Sequence, residues 1–211
     1  MTKPETNGSL HRQFGALEQE VARGLVQRLR LTRFVRPFPQ RTVWAGFVFV
    51  NGFLTVGLLA LVAMITGSPF VFPSVGPTVF TFWFHPTTPP ASPRNAILGH
   101  AAGIICGYLA LVLTGLQNSP SVMTEGVDAG RMLAAALSFA LTGAVMILFH
   151  IVHPPAAATT LIVSLGIIHE PSHLALIELA IVLLAAQAFT INRLAGVDYP
   201  WWGPKEVNSE Q

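Results

Sequence analysis

The chain has 211 residues, of which 52% are hydrophobic and 10% charged, with a formal net charge of +2. No charged residue falls between Arg41 and Arg94 or between Arg131 and Glu170, which excludes an ordinary soluble domain and leaves no basic face for a nucleic acid. The single cysteine, Cys106, rules out an intrachain disulfide and a cysteine metal cluster.

Residues 1–43 form a basic arm. Lys3, Arg12, Arg23, Arg28, Arg30, Arg33, Arg36 and Arg41 all precede the first apolar run, so the positive-inside rule places this end in the cytoplasm. Leu10, Phe14, Leu17, Val21, Leu25 and Leu29 recur at helical spacing and predict an amphipathic helix on the anionic inner leaflet. Glu5, Glu18 and Glu20 argue against a transit peptide, and no signal-peptide core precedes the first span.

Four apolar runs follow, residues 44–66, 96–115, 132–152 and 174–191, each near the roughly 20 residues a helix needs to cross a bilayer core. Between them lie two shorter segments, 69–84 and 154–168, broken by Pro, Gly, Ser and Thr. Such discontinuous segments free backbone groups that need a polar partner at membrane depth, and they point to a transporter or channel. The predicted fold is therefore an all-α membrane protein: four long transmembrane helices plus two short broken or re-entrant helical segments in a two-fold internal repeat. The membrane domain is expected at residues 44–192, with repeat 1 at about 44–115, repeat 2 at about 131–192, and a short cytoplasmic tail at 193–211.

Register supports the repeat. FPSVGPT at 72–78 aligns with HPPAAAT at 153–159, matching a proline, small residues and a threonine at one offset. If the broken segments cross the membrane, each half makes three passes and the halves are inverted; if they re-enter, each half makes two and the halves are parallel. Arg94 and Arg131 favour opposite choices between these, and both termini are cytoplasmic either way.

The candidate site lies on the broken segments. Two prolines, Pro154 and Pro155, end one helix and suit the first turn of another. Open amides after Pro155, with the hydroxyls of Thr159 and Thr160, offer an anion site favoured by the helix dipole. Ser74, Gly76 and Thr78 supply a second such end. Arg94 and Asn95, at the edge of the next run, are placed to draw in an anion or to cap the helix. His100 lies deeper, where an ionisable side chain marks either a functional site or a bridge between helices. His150 and His153 share a helical face, but no third ligand is fixed and no metal or other cofactor is expected. Gly99, Gly103 and Gly107 read as a packing stripe, and Glu178 as a side chain that snorkels to the interface.

His153-Pro154-Pro155 closing a span, after Pro93-Arg94-Asn95 and then Gly99-His100 opening the previous one, resembles the HPP family of small integral membrane proteins, named for that tripeptide. The resemblance covers about residues 41–191. It departs at Ala156, Ala157 and Ala158, where glycine is often expected, and at Pro77, where a small residue is usual. Plastid and cyanobacterial members are associated with nitrite transport. The resemblance thus implies transport of a small monovalent anion, nitrite first, through an integral protein of a bacterial inner membrane. A homo-oligomer is expected because so small a protomer shields its broken segments poorly from lipid. The rival readings are a structural or sensory scaffold and a metal-dependent membrane enzyme; no nucleophile pattern supports enzymatic chemistry.

Overall fold

The computed structural model describes residues 15–16, 18–24, 38–68 and 71–204. Every regular element among them is helical: α1 (Gln40–Thr66), α2 (Val75–Phe84), a 3₁₀ turn (Pro89–Ala91), α3 (Pro93–Leu113), α4 (Val122–Glu125), α5 (Ala129–Leu148), α6 (Ala156–Ser164) and α7 (Pro171–Leu194). Residues 18–24 add a short helical stretch. Helices α1, α3, α5 and α7 are long and apolar enough to span a membrane, so the protein is an integral membrane protein.

Each long helix starts about three or four residues before the apolar run that marks it, because caps and charges fill the first turn. Pro93 and Pro171 occupy the first positions of α3 and α7, where a missing N–H costs nothing. Ser92 caps α3 by accepting from the Asn95 amide at 3.3 Å, and Asp128 caps α5 through Arg131 N at 2.6 Å. Hydropathy also carries the third span too far. The helix stops at Leu148 in a Schellman motif, with Ile151 N on Met146 O at 2.8 Å and His150 in the left-handed region at φ 53°.

Contacts fix the direction of each helix. Trp44 meets Phe84, Asn192 Nδ2 donates to Phe82 O, and Arg94 reaches Phe149 and His150. The starts of α1 and α3 and the ends of α2, α5 and α7 therefore share one end of the bundle. Arg131 meets Ser119, Pro120 and Ser164, so the start of α5 and the end of α6 lie at the other. Apart from the one-turn α4, successive helices alternate in direction. The half-helices α2 and α6 run against the long helices that precede them, α1 and α5, and each ends at the bundle end opposite to where its preceding long helix ends.

α3 is the central element, packing on α5, α6 and α7. Its glycines make this possible: a Cβ on Gly99 would come 2.8 Å from His153 Cβ, one on Gly103 2.9 Å from Ala156 O, and one on Gly107 2.8 Å from Val163 Cβ. The glycine stripe is thus used within the protomer, against α6, and is not free for a second copy. After α7 the chain folds back over the start of α3. Tyr199 Oη donates to Ala91 O at 2.5 Å, Arg94 N donates to Trp202 O, and burial pushes ionisation of the Tyr199 hydroxyl upward.

The predicted amphipathic arm falls largely outside the described residues; this holds for Leu10, Phe14, Leu17, Leu25 and Leu29. Val21 is buried with the core, Gly24 lies against Ala195, and Glu20 accepts from Asp198 N at 2.9 Å. This stretch docks on the protein at the C-terminal end of α7.

Candidate functional site

The two half-helices meet at His100. Thr78 is the fourth residue of α2 and Thr159 the fourth of α6, and each arrives on the imidazole from a different side. Thr78 Oγ1 lies 2.8 Å from His100 Nε2, and Thr159 Oγ1 lies 2.7 Å from Nδ1. His153 completes the cluster, its Nε2 3.2 Å from His100 Nε2 and its Nδ1 2.7 Å from Pro90 O. All four side chains are buried. His100 is seven residues into α3, about 10 Å below its start at 1.5 Å per residue.

Hydrogen-bond logic assigns the tautomers. A carbonyl oxygen only accepts, so His153 Nδ1–H must donate to Pro90 O, leaving the Nε2 of the neutral ring as an acceptor. Two bare nitrogens would repel at 3.2 Å, so His100 carries its proton on Nε2, directed between His153 Nε2 and Thr78 Oγ1. His100 Nδ1 is then the acceptor, and Thr159 donates to it. Thr78 sends its own proton to Ser74 O at 3.2 Å. The result is one directional chain of donors, from Thr159 through His100 and His153 to Pro90.

Pro90 stands on the wall of a cleft of about 770 Å³, between Pro77 and Thr81 of α2 and Pro154, Pro155 and Ala157 before and within α6. Asn95 fixes that wall: its Nδ2 donates to Pro89 O at 3.0 Å and its Oδ1 accepts from Arg94 at 3.1 Å. Pro90 thus touches both, lining the cleft and accepting through its carbonyl from the buried His153.

A family model described as HPP, transmembrane region, matches residues 37–200. The chain belongs to the HPP transmembrane family. No curated protein and no solved structure matches it. The tripeptide of the HPP name has a physical division of labour here. His153 turns into the bundle, buried Pro155 precedes α6, and exposed Pro154 faces the cleft.

The other sequence candidates of this HPP domain take different places. The amides of Ala156, Ala157 and Ala158 donate to the carbonyls of His153, Pro154 and Pro155 at 3.0 to 3.1 Å, so the first turn of α6 satisfies its own donors. Thr160 faces away from the imidazoles and pairs with Thr142 of α5 at 2.9 Å. Gly76 lines an apolar groove of about 330 Å³ against α1, with Gly52 and Trp83. The Ser74 hydroxyl is buried without a partner among the described residues, while its carbonyl steadies Thr78. Arg94 directs its guanidinium to Phe149 O at 3.0 Å and His150 O at 3.1 Å, closing the C-terminus of α5. Arg131 does the same for α6 through Ser164 O.

Sequence reasoning missed Pro90, Thr142 and Asn192. Pro90 acts through its carbonyl, which has no residue-type signature, and the other two are polar residues within or at the end of apolar helices whose partners lie on other elements. Among the described residues no group of three or more His, Cys, Asp or Glu side chains gathers into a metal shell.

Proposed function

We propose that this protein is a membrane transporter or channel for a small monovalent anion. The observation that carries the reading is the meeting of Thr78 and Thr159, from two interrupted helices, on the two nitrogens of His100 within an apolar bundle. Interrupted helices converging on polar side chains are the means by which membrane proteins hold an ion at depth. The His100–His153 pair shares one proton between its facing nitrogens. A second proton gives the pair a positive charge and a spare donor, and a monovalent anion arriving with it neutralises the charge. Nitrite is the anion the HPP resemblance implies, and the cleft of about 770 Å³ beside Pro90 has room to admit it.

Charge supports an orientation. Arg23, Arg41, Arg94 and Arg193 lie at the end of the bundle where the cleft opens, against Arg131 at the other. The positive-inside rule makes the cleft end cytoplasmic, in what we take to be a bacterial inner membrane, with both termini on that side. A homo-oligomer remains part of the proposal, now through exposed apolar residues of α1 and α5 such as Phe49, Phe53, Ile147 and Leu148, in place of the glycine stripe.

The deciding experiment reconstitutes the purified protein in liposomes and measures flux of nitrite, nitrate, formate and chloride at two pH values. Selective flux that is lost in His100→Ala supports the reading. Flux no greater than that of empty liposomes for every anion overturns it.

A further inference from the structure

Helix α7 carries a carboxyl that the imidazole cluster does not use. Glu178 is seven residues into the helix, about 10 Å from its start and within the depth of a bilayer core. It shares a helical face with Leu174, Ile181 and Ala185, all buried, so its side chain is directed among neighbouring helices. Both carboxylate oxygens are shielded, and neither has a hydrogen-bond partner among the described residues. The side chain does not snorkel.

No positive charge among the described residues compensates it. Helix α7 packs on α1, α2 and α3, whose titratable or charged groups are Arg41, Arg94, His100, Cys106 and Tyr108; none forms an ion pair or hydrogen bond with Glu178. On α7 itself, His173 pairs with Glu170 and Arg193 with Asp198, at either end of the helix. An ionised carboxylate buried without a counter-charge is far more costly than the same group carrying a proton. A metal ion would need further oxygen or nitrogen ligands, and no such group is gathered among the described residues.

We propose that Glu178 is a proton-binding site of the membrane domain, its shielded and unpartnered carboxyl carrying a proton where it lies among the neighbours of α7. The proton is its ligand. This assignment does not depend on which solute, if any, the His100 cluster handles, because the carboxyl is on another helix and has its own readout.

The test is carbodiimide labelling of the intact protein in liposomes near neutral pH. An apolar carbodiimide reacts with protonated carboxyls inside membranes: the acid proton moves to a reagent nitrogen, the carboxyl oxygen adds to the central carbon, and the adduct rearranges to a stable acylurea with nothing lost. The expected result is an adduct mapped to Glu178 by mass spectrometry, formed several-fold faster with the apolar reagent than with a water-soluble one, and falling as pH rises. Infrared spectra of unlabelled protein should also show a carboxylic-acid carbonyl band that Glu178→Gln removes. Absence of that adduct while surface Glu170 is modified, or equal labelling by the water-soluble reagent, overturns the proposal. Because wild-type protein decides the labelling, a poorly folding Gln variant does not blunt the test.

Discussion

His100 Nε2 and His153 Nε2 face each other at 3.2 Å inside the bundle, and the Pro90 carbonyl on the far side of His153 determines which of them holds the proton. The two histidines are therefore expected as opposite tautomers, His153 protonated on Nδ1 and His100 on Nε2. Two-dimensional ¹⁵N spectra of histidine-labelled protein in lipid distinguish the tautomers by the shift of each ring nitrogen. The same tautomer at both residues would refute the donor chain.

Thr159 donates to the remaining nitrogen of His100. Thr159→Val keeps the shape and removes the proton, leaving a buried acceptor unpaired at a cost of about 1–3 kcal/mol. Thr159→Ser restores the donor and should recover most of that loss. If anion flux follows the hydroxyl, falling in the Val variant and returning in the Ser variant, Thr159 belongs to the conduction site. If only the unfolding midpoint moves, its role is structural.

Much of this fold was legible in the sequence because the membrane makes hydropathy and helix-breaking residues unusually informative. The four spans and the half-helices at Val75–Phe84 and Ala156–Ser164 follow from apolar length and from where Pro and Gly interrupt it. The alignment of residues 72–78 with 153–159 also paired Thr78 with Thr159, the two residues that meet on His100. What could not be read was where donors and acceptors find partners. The amides after Pro155 read as open, yet carbonyls three residues earlier occupy them. Arg94 read as an attractor for anions, but its partners are carbonyls more than fifty positions away, and no local pattern encodes that distance.

Arg94 is consequently predicted to act on stability and not on anion affinity. Arg94→Ala frees the Phe149 and His150 carbonyls at the end of α5 and loosens Asn95; water can replace the guanidinium at these exposed bonds, so the total cost is about 1–3 kcal/mol. Thermal unfolding in lipid or detergent should show the loss, while the folded fraction keeps its apparent affinity for the transported anion. A variant of unchanged stability with weakened affinity would return Arg94 to the role of an anion attractor.

His150 offers the reverse prediction, a gain. It is the residue after the cap of α5, its φ of 53° is the only positive one at a non-glycine position among the described residues, and its side chain is exposed. The left-handed conformation costs an ordinary residue roughly 1–2 kcal/mol that glycine is spared, partly offset by the greater freedom glycine has when unfolded. What Arg94 uses here is the carbonyl, which glycine retains. His150→Gly should therefore raise the unfolding midpoint by the equivalent of about 0.5–1 kcal/mol, net of that offset, and leave anion flux unchanged. A fall in stability, or a loss of flux in a variant that still folds, would mean that the imidazole of His150 has a role that its exposed position in the Schellman turn does not suggest.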